Sequence, residues 1–361
     1  MSVFMHWMLL GVFLLLPLLI NEQARPLLAA SVPVESTPQT LELVDTVMVP
    51  ASFLAQWLGG TVTSDRKTGQ VMFTAQGKTL QLASNSPQAT MAGQALTLGQ
   101  PVLDVAGTVY LPLVPVAKIF GAVTARTADG LAMTLTDPVT KRTVDLPLRG
   151  RIFVAEGDQN GDGSSEIAYG AYLYFANQLN KWYDGRSVSN PNLPLVWVVK
   201  GRKNIWSRQV EGYELTQLFQ GDLEGAGRSE LWYTSLLPAA DHVEYYFHAF
   251  TWNGRTFRNI IAAPKSYLQY NTGGGLVAWI SHRPTQLILF TPIFGEVHAN
   301  GPIALQVATY AWNGTYFMLR ENRRSRQTDA GDPIAILRDE FRVPVTEHSA
   351  DRIRQNLVAF Q

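Results

Sequence analysis

A ten-residue pattern occurs twice, and it constrains the fold more than any bulk property does. Pro50-x-x-x-Leu54-Ala55-x-Trp57-Leu58-Gly59 is answered 62 residues later by Pro112-x-x-x-Val116-Ala117-x-Ile119-Phe120-Gly121. An internal repeat at a fixed register predicts a duplicated structural unit. Proline at the first helical position and glycine just past the last are the usual boundary residues of a helix. Between them Leu54, Trp57 and Leu58 share one face at i, i+3 and i+4, as do Val116, Ile119 and Phe120. Pro115 falls in the first turn, where backbone N–H groups lack partners in any case. Helices of about two to three turns do not stand alone in water, so each must pack on a sheet.

The sheet signals lie on either side. Val71, Phe73 and Ala75 alternate with other residues, Gln76-Gly77 turns the chain, and Leu80 and Leu82 resume the alternation, which predicts a hairpin. The second copy has Leu131, Met133 and Leu135, a turn near Asp137-Pro138, then Val144, Leu146 and Leu148. Val102, Leu103, Val105 and Val109 supply strands ahead of the second helix. Residues 41–148 are therefore expected to form an α+β module of two β-hairpin/short-helix repeats.

A chain of 361 residues suits two domains, since one core rarely grows beyond about 250–300 residues. Lys+Arg and Asp+Glu balance at 29 each, so the basic footprint of a nucleic-acid binder is missing and no nucleic-acid partner is expected. Cysteine is absent, which excludes disulfides, thiolate metal sites and a cysteine nucleophile. Residues 2–20 carry no charged side chain beyond His6, and the apolar run from Trp7 to Ile20 is short, like the central region of a secretory signal. Ala29, Ala30 and Ser31 follow where a signal peptidase cuts, while the uncharged stretch is also nearly long enough to cross a bilayer. Residues 1–31 thus read as a signal peptide or an N-terminal membrane anchor, and 32–40 as a linker. Either reading puts the remainder in the cell envelope or outside the cell, touching the membrane only through that segment.

Three further elements accompany the Val49-Pro50…Ala55…Leu58-Gly59 helix: Asp65-Arg66-Lys67-Thr68-Gly69, Gly77-Lys78-Thr79 and Ala106-Gly107-Thr108-Val109-Tyr110-Leu111-Pro112. Together they resemble the copper amine oxidase N-terminal-like, or stalk, domain over about 100 residues. The resemblance implies a secreted or cell-wall protein of the Gram-positive type and a module without oxidase chemistry of its own.

Residues 150–320 have a different character, rich in aromatics and poor in helical periodicity. Asp158-Gln-Asn160-Gly-Asp162-Gly163-Ser-Ser-Glu166-Ile167 is echoed 64 residues later by Asp222-Leu-Glu224-Gly-Ala226-Gly227-Arg-Ser-Glu230-Leu231. A worn third copy is His282-Arg-Pro-Thr-Gln286-Leu287. Interleaved are Trp252-Asn253-Gly254-Arg-Thr-Phe257 and, 60 residues on, Trp312-Asn313-Gly314-Thr-Tyr-Phe317, with Lys200-Gly201-Arg202 an earlier member. Asn-Gly between alternating apolar runs is a strong hairpin signal. Units of this plan resemble the blades of FG-GAP/VCBS-type β-propellers, so an all-β, propeller-like or related antiparallel domain is expected. Three units are fewer than the four to eight blades of a closed ring. Residues 321–361 read as a basic tail, opened by the run Arg320, Arg323, Arg324 and Arg326, with a short terminal helix carrying Ile353, Leu357 and Phe360 on one face.

The best candidate for chemistry is Asp158-x-Asn160-x-Asp162-Gly163-x-x-Glu166. Oxygen donors at alternating positions, with a glycine for a sharp turn, suit a hard cation such as Ca²⁺. It is not an EF-hand, because Tyr169 stands where a bidentate glutamate is required. The FG-GAP resemblance implies the same ligands, Asp158, Asn160, Asp162 and Glu166, and the bland reading has them hydrogen-bonding the turn backbone without metal. The second copy has Ala226 at the central carboxylate position.

Copper is not expected. His6, His242, His248, His282, His298 and His348 include no His-x-His pair, and no Asn-Tyr-Asp/Glu context for a modified tyrosine occurs. Ser64-Asp-Arg-Lys67 matches S-x-x-K but lies in a turn without its partner motifs. Trp182, Tyr183, Trp197, Trp206, Trp232 and Trp279 are candidate sugar-stacking residues, although aromatics on β-sheets more often fill cores. The reading that follows is an exported, non-enzymatic envelope protein whose stalk module presents a β-rich domain to a cell-wall glycan or a surface protein. The alternative is an extracellular hydrolase of polysaccharide or peptide, with Asp241, Glu244 and Glu296 as available acids.

Overall fold

A computed structural model describes residues 38–128, 130–173, 194–212, 214–222, 226–238, 243–262, 268–272, 277–282, 285–293, 304–325 and 333–342. The signal or anchor segment and the terminal helix expected around Leu357 lie outside these residues.

The duplicated pattern becomes a duplicated path. β1 (Thr40–Leu43) and β2 (Thr46–Pro50) lead into α1 (Ala51–Trp57), followed by β3 (Thr61–Asp65), β4 (Gln70–Ala75) and β5 (Lys78–Ala83). A hairpin that the sequence reading did not separate, β6 (Ser86–Met91) with β7 (Gln94–Val105), stands between the copies. Then β8 (Thr108–Pro112), α2 (Leu113–Ile119), β9 (Val123–Arg126), β10 (Ala132–Thr136) and β11 (Thr143–Gly157) repeat the plan.

Pro50 and Pro112 stand one position ahead of the place expected for them. Each caps its helix in extended conformation, with ψ 127° and 115°, because each still belongs to the ladder in which β2 pairs β8. The exits match as well: Gly59 donates to Gln56 and Gly121 to Lys118, both at 3.1 Å, with φ of 72° and 77°. That left-handed conformation is what ends a helix at glycine. Leu54, Trp57, Leu58, Val116 and Phe120 then meet Val71, Phe73, Leu80 and Leu135 in one buried cluster.

The second half is built from antiparallel meanders. The first comprises β11, β12 (Glu166–Leu173), β13 (Leu195–Lys200) and β14 (Lys203–Gln209). The second comprises β15 (Glu214–Gly221), β16 (Glu230–Pro238), β17 (Val243–Trp252) and β18 (Phe257–Asn259), with β19 (Leu268–Thr272) also on β17. The third comprises β20 (Val277–His282), β21 (Thr285–Ile293), β22 (Ala304–Trp312) and β23 (Phe317–Arg324). The repeated motifs are their turns. Asn253 Oδ1 accepts from the amides of Arg255 and Thr256, and Asn313 Oδ1 accepts from those of Thr315 and Tyr316, at 2.8–3.0 Å. Trp252 packs on Phe257 and Trp312 on Phe317, with ring centroids 5.2 and 5.0 Å apart.

The first meander continues a 14-stranded sheet that runs β14-β13-β12-β11-β1-β2-β8-β7-β6-β5-β4-β3, with β10 and β9 attached to β11. This sheet curls into half a barrel, so Trp197, Tyr169 and Ile152 share a core with Leu103, Val105 and Tyr110. The opposite face of the first meander packs on the second through Val196, Val198, Leu215, Leu231 and Tyr233. The second packs on the third through Phe247, Ala249, Leu287, Leu289 and Phe317. The far face of the third carries Ile288, Phe290, Leu305 and Val307 beneath a short helical segment, Pro333–Ala335 running into a π-helical turn at Ile336–Glu340. The meanders thus form a row whose two outer faces are covered by other elements.

Two boundaries fall inside strands. β11 runs through 149 without a break, pairing β10 with its first half and β12 with its second. β23 crosses 320, so the start of the basic tail is a strand. Arg323 there is a paired charge: its guanidinium reaches Glu340 and Glu321, both at 2.6 Å, and lies 4.0 Å from the Phe341 ring.

Candidate functional site

The acidic turn joins β11 to β12, and its geometry is dictated within five residues. Asp158 Oδ1 accepts from the amides of Gly161 and Asp162, and Oδ2 accepts from Gly163 at 2.8 Å. Asn160 Oδ1 accepts from the Asp162 amide, and Asp162 Oδ1 from the Ser164 amide. Gly161 and Gly163 sit at φ 74° and 84°, which makes the compact turn possible.

The second copy repeats the motif between β15 and β16. Asp222 accepts from Ala226 and Gly227, four and five residues on, as Asp158 does from Asp162 and Gly163. The two turns lie side by side, since the Ser229 amide donates to the Asp158 carbonyl at 2.8 Å. The third copy cannot form this turn, because only two residues separate the paired His282 and Thr285.

Each acidic turn ends on a buried glutamate that opens the next strand. Glu166 and Glu230 are both 0% exposed. Glu230 Oε1 accepts from Thr251 Oγ1 at 3.2 Å and lies 3.6 Å from Arg228 Nε. Glu166 accepts from the Gln159 amide at 2.9 Å and from Asn160 Nδ2 at 2.7 Å. Lys200 completes the arrangement, with Nζ 3.2 Å from Glu166 Oε1 and hydrogen-bonded to Asp162 Oδ2.

Of the four predicted ligands, then, Asp162 and Glu166 converge on one ammonium group, whereas Asp158 and Asn160 face the turn amides. The Lys200 hydrogen bond, followed by the Ser164 amide, holds the Asp162 carboxyl below its ordinary 3.8. The reciprocal bond to Asp162 holds the Lys200 ammonium above its ordinary 10.5. Lys200 is the group that sequence reasoning missed here. It was visible only as part of a turn motif, because its role comes from the register in which Ile167 pairs with Val199.

The other candidates resolve into structural roles where they are described. Trp197 is 1% exposed and stacks on Tyr169, and Trp232 stacks on Phe219, so both are core residues and not sugar platforms. Trp206 packs on Phe250 and Phe257. Ser64 and Lys67 lie at the exposed β3–β4 turn. Glu244 accepts a hydrogen bond from Tyr246, while Asp241, Glu296, Trp182 and Tyr183 lie outside the described residues. Among the described residues no three His, Asp or Glu side chains form an open metal cluster.

A comparison with curated proteins found no match. Among solved structures, the chain is similar to the crystal structure of rhamnogalacturonan lyase YesW at 12% identity, covering 81% of this chain and 53% of that one, with a TM-score of 0.29. The chain therefore spans about half the length of that structure, and the low score carries no argument about fold or activity. The comparison with protein families is informative for the first part of the chain: residues 30–133 match the copper amine oxidase N-terminal domain.

Proposed function

We propose that the protein is an exported, non-enzymatic component of the cell envelope. Its amine-oxidase-type N-terminal module serves as a stalk, and the row of β-meanders is the part that engages a cell-wall glycan or a surface protein. The observation that carries this reading is the family match over residues 30–133.

Calcium at the acidic turn belongs to the same proposal, and Lys200 is the group it must displace. The donors suit a hard cation, yet an ammonium already supplies positive charge to two of them.

Expression of the full chain in a Gram-positive host, followed by fractionation and co-sedimentation with purified cell walls, tests the proposal. Recovery outside the cytoplasm with retention on walls is the expected result. Cytoplasmic recovery, or release of reducing ends or peptides from the walls, would overturn it, the latter in favour of the hydrolase.

A further inference from the structure

The curl of the large sheet brings its two distant halves together around a cavity of about 760 Å³. One side is formed by the β3–β4 turn with Arg66 and Lys67, the other by the β13–β14 turn with Arg202 and Lys203. Asp104 is the single carboxylate among the lining residues, and its Oδ1 is engaged by the Gly107 amide at 2.8 Å. Four cationic side chains against one carboxylate give the cavity a positive potential in a chain whose net charge is zero. A concave site lined by one sign of charge focuses its field on oppositely charged solutes.

The cavity is also held in shape. Arg66 Nη2 donates to the Gly107 carbonyl at 3.1 Å, and a Cβ on Gly107 would stand 2.5 Å from that nitrogen, so the glycine makes room for the guanidinium. Across the cavity Asn85 Nδ2 donates to the Arg202 carbonyl at 3.2 Å. Two further polar atoms of the lining residues stay without partners among the described residues: the Asn85 Oδ1 acceptor and the indole N–H of the buried Trp197. Buried polar atoms in folded proteins are normally hydrogen-bonded, so such a pair calls for an explanation. A solute with anionic oxygens would meet the four cations that line the cavity.

We propose that this cavity binds an anionic saccharide or polyol, a unit bearing carboxylate or phosphate. The proposal rests on the envelope reading for the source of the ligand, but not for its charge. Arginine is suited to carboxylate and phosphate because its planar fork donates two parallel hydrogen bonds.

The test is calorimetric titration of the full chain with a hyaluronan tetrasaccharide, a glycerol phosphate oligomer and neutral maltotetraose at low salt. Binding of at least one anionic probe is expected, without binding of maltotetraose. The carboxylate and phosphate arms distinguish the two sources. Arg66→Gln combined with Arg202→Gln should weaken that binding at least tenfold while keeping a single cooperative melting transition, since both side chains are exposed. Failure of both anionic probes, or binding indifferent to the double substitution, would overturn the proposal. Should the double variant misfold, Lys203→Gln alone at two salt concentrations provides the same reading through a reduced salt dependence. Cell-wall retention unaffected by the double variant, together with failed titrations, would leave the envelope reading intact and remove only the cavity. Probe binding without wall retention would do the reverse.

Discussion

Lys200 Nζ lies 3.2 Å from Glu166 Oε1, directly across the β12–β13 ladder in the register that pairs Ile167 with Val199. A fully buried carboxylate thus faces a partly exposed ammonium at the mouth of the acidic turn. The pair connects a turn readable from sequence to a strand that only the fold brings alongside it.

Glu166→Ala should lower stability by about 1–3 kcal/mol, because it strands the buried Gln159 amide, and the half-buried Asn160 Nδ2, without their acceptor. Urea denaturation of the variant and the wild type measures this. A loss below about 0.5 kcal/mol would mean that water replaces the carboxylate freely.

Lys200→Met should strengthen any effect of calcium. With the ammonium gone, the Asp162 and Glu166 side chains lose the cation they share, and a divalent ion gains the place. Melting curves with excess Ca²⁺ and with chelator should show a larger calcium-dependent rise in the variant than in the wild type. Equal shifts, or none in either protein, would exclude this turn as the binding site.

The pH dependence follows from the same ion pair. Asp162 titrates lower in the folded chain than its ordinary 3.8, so its contribution is present above that value and disappears as pH falls through the folded value. Lys200 titrates higher than its ordinary 10.5, so its contribution is present below that value and disappears as pH rises through the folded one. The stability difference between wild type and Asp162→Asn should therefore stay level near neutrality and narrow in acid below 3.8. Denaturation across a pH series tests it, and a difference that persists undiminished into strong acid would contradict the pairing.

Gly150→Ala should cost about 1–3 kcal/mol through overpacking. Gly150 lies where β11 exchanges partners, and a Cβ there would stand 2.1 Å from the Tyr172 carbonyl oxygen and 2.9 Å from Leu41 Cδ2. Neither the neighbouring strand nor the parallel β1 can retreat without losing ladder hydrogen bonds. A variant as stable as the wild type in thermal unfolding would show that the sheet relaxes at this junction.

What the sequence by itself determined was the set of local devices. The Asp158 and Asp222 turns, the Asn253 and Asn313 hairpins and the glycine exits of both helices close within about five residues, so side chain and backbone meet whatever the rest of the chain does. Their spacing exposed the repeats, and with them the positions of turns within the meanders. Tertiary structure alone decided what those devices are for. Lys200 reaches Glu166 through strand register, and Arg66 and Arg202 line one cavity because the sheet curls until Asn85 touches the Arg202 carbonyl. The aromatics on β13 and β16 turn inward because stacking each meander on the next buries both faces of the inner sheets. Local hydrogen bonds write a turn into sequence, whereas curl, stacking order and register arise from the sum of many weak, non-directional contacts that no single residue announces.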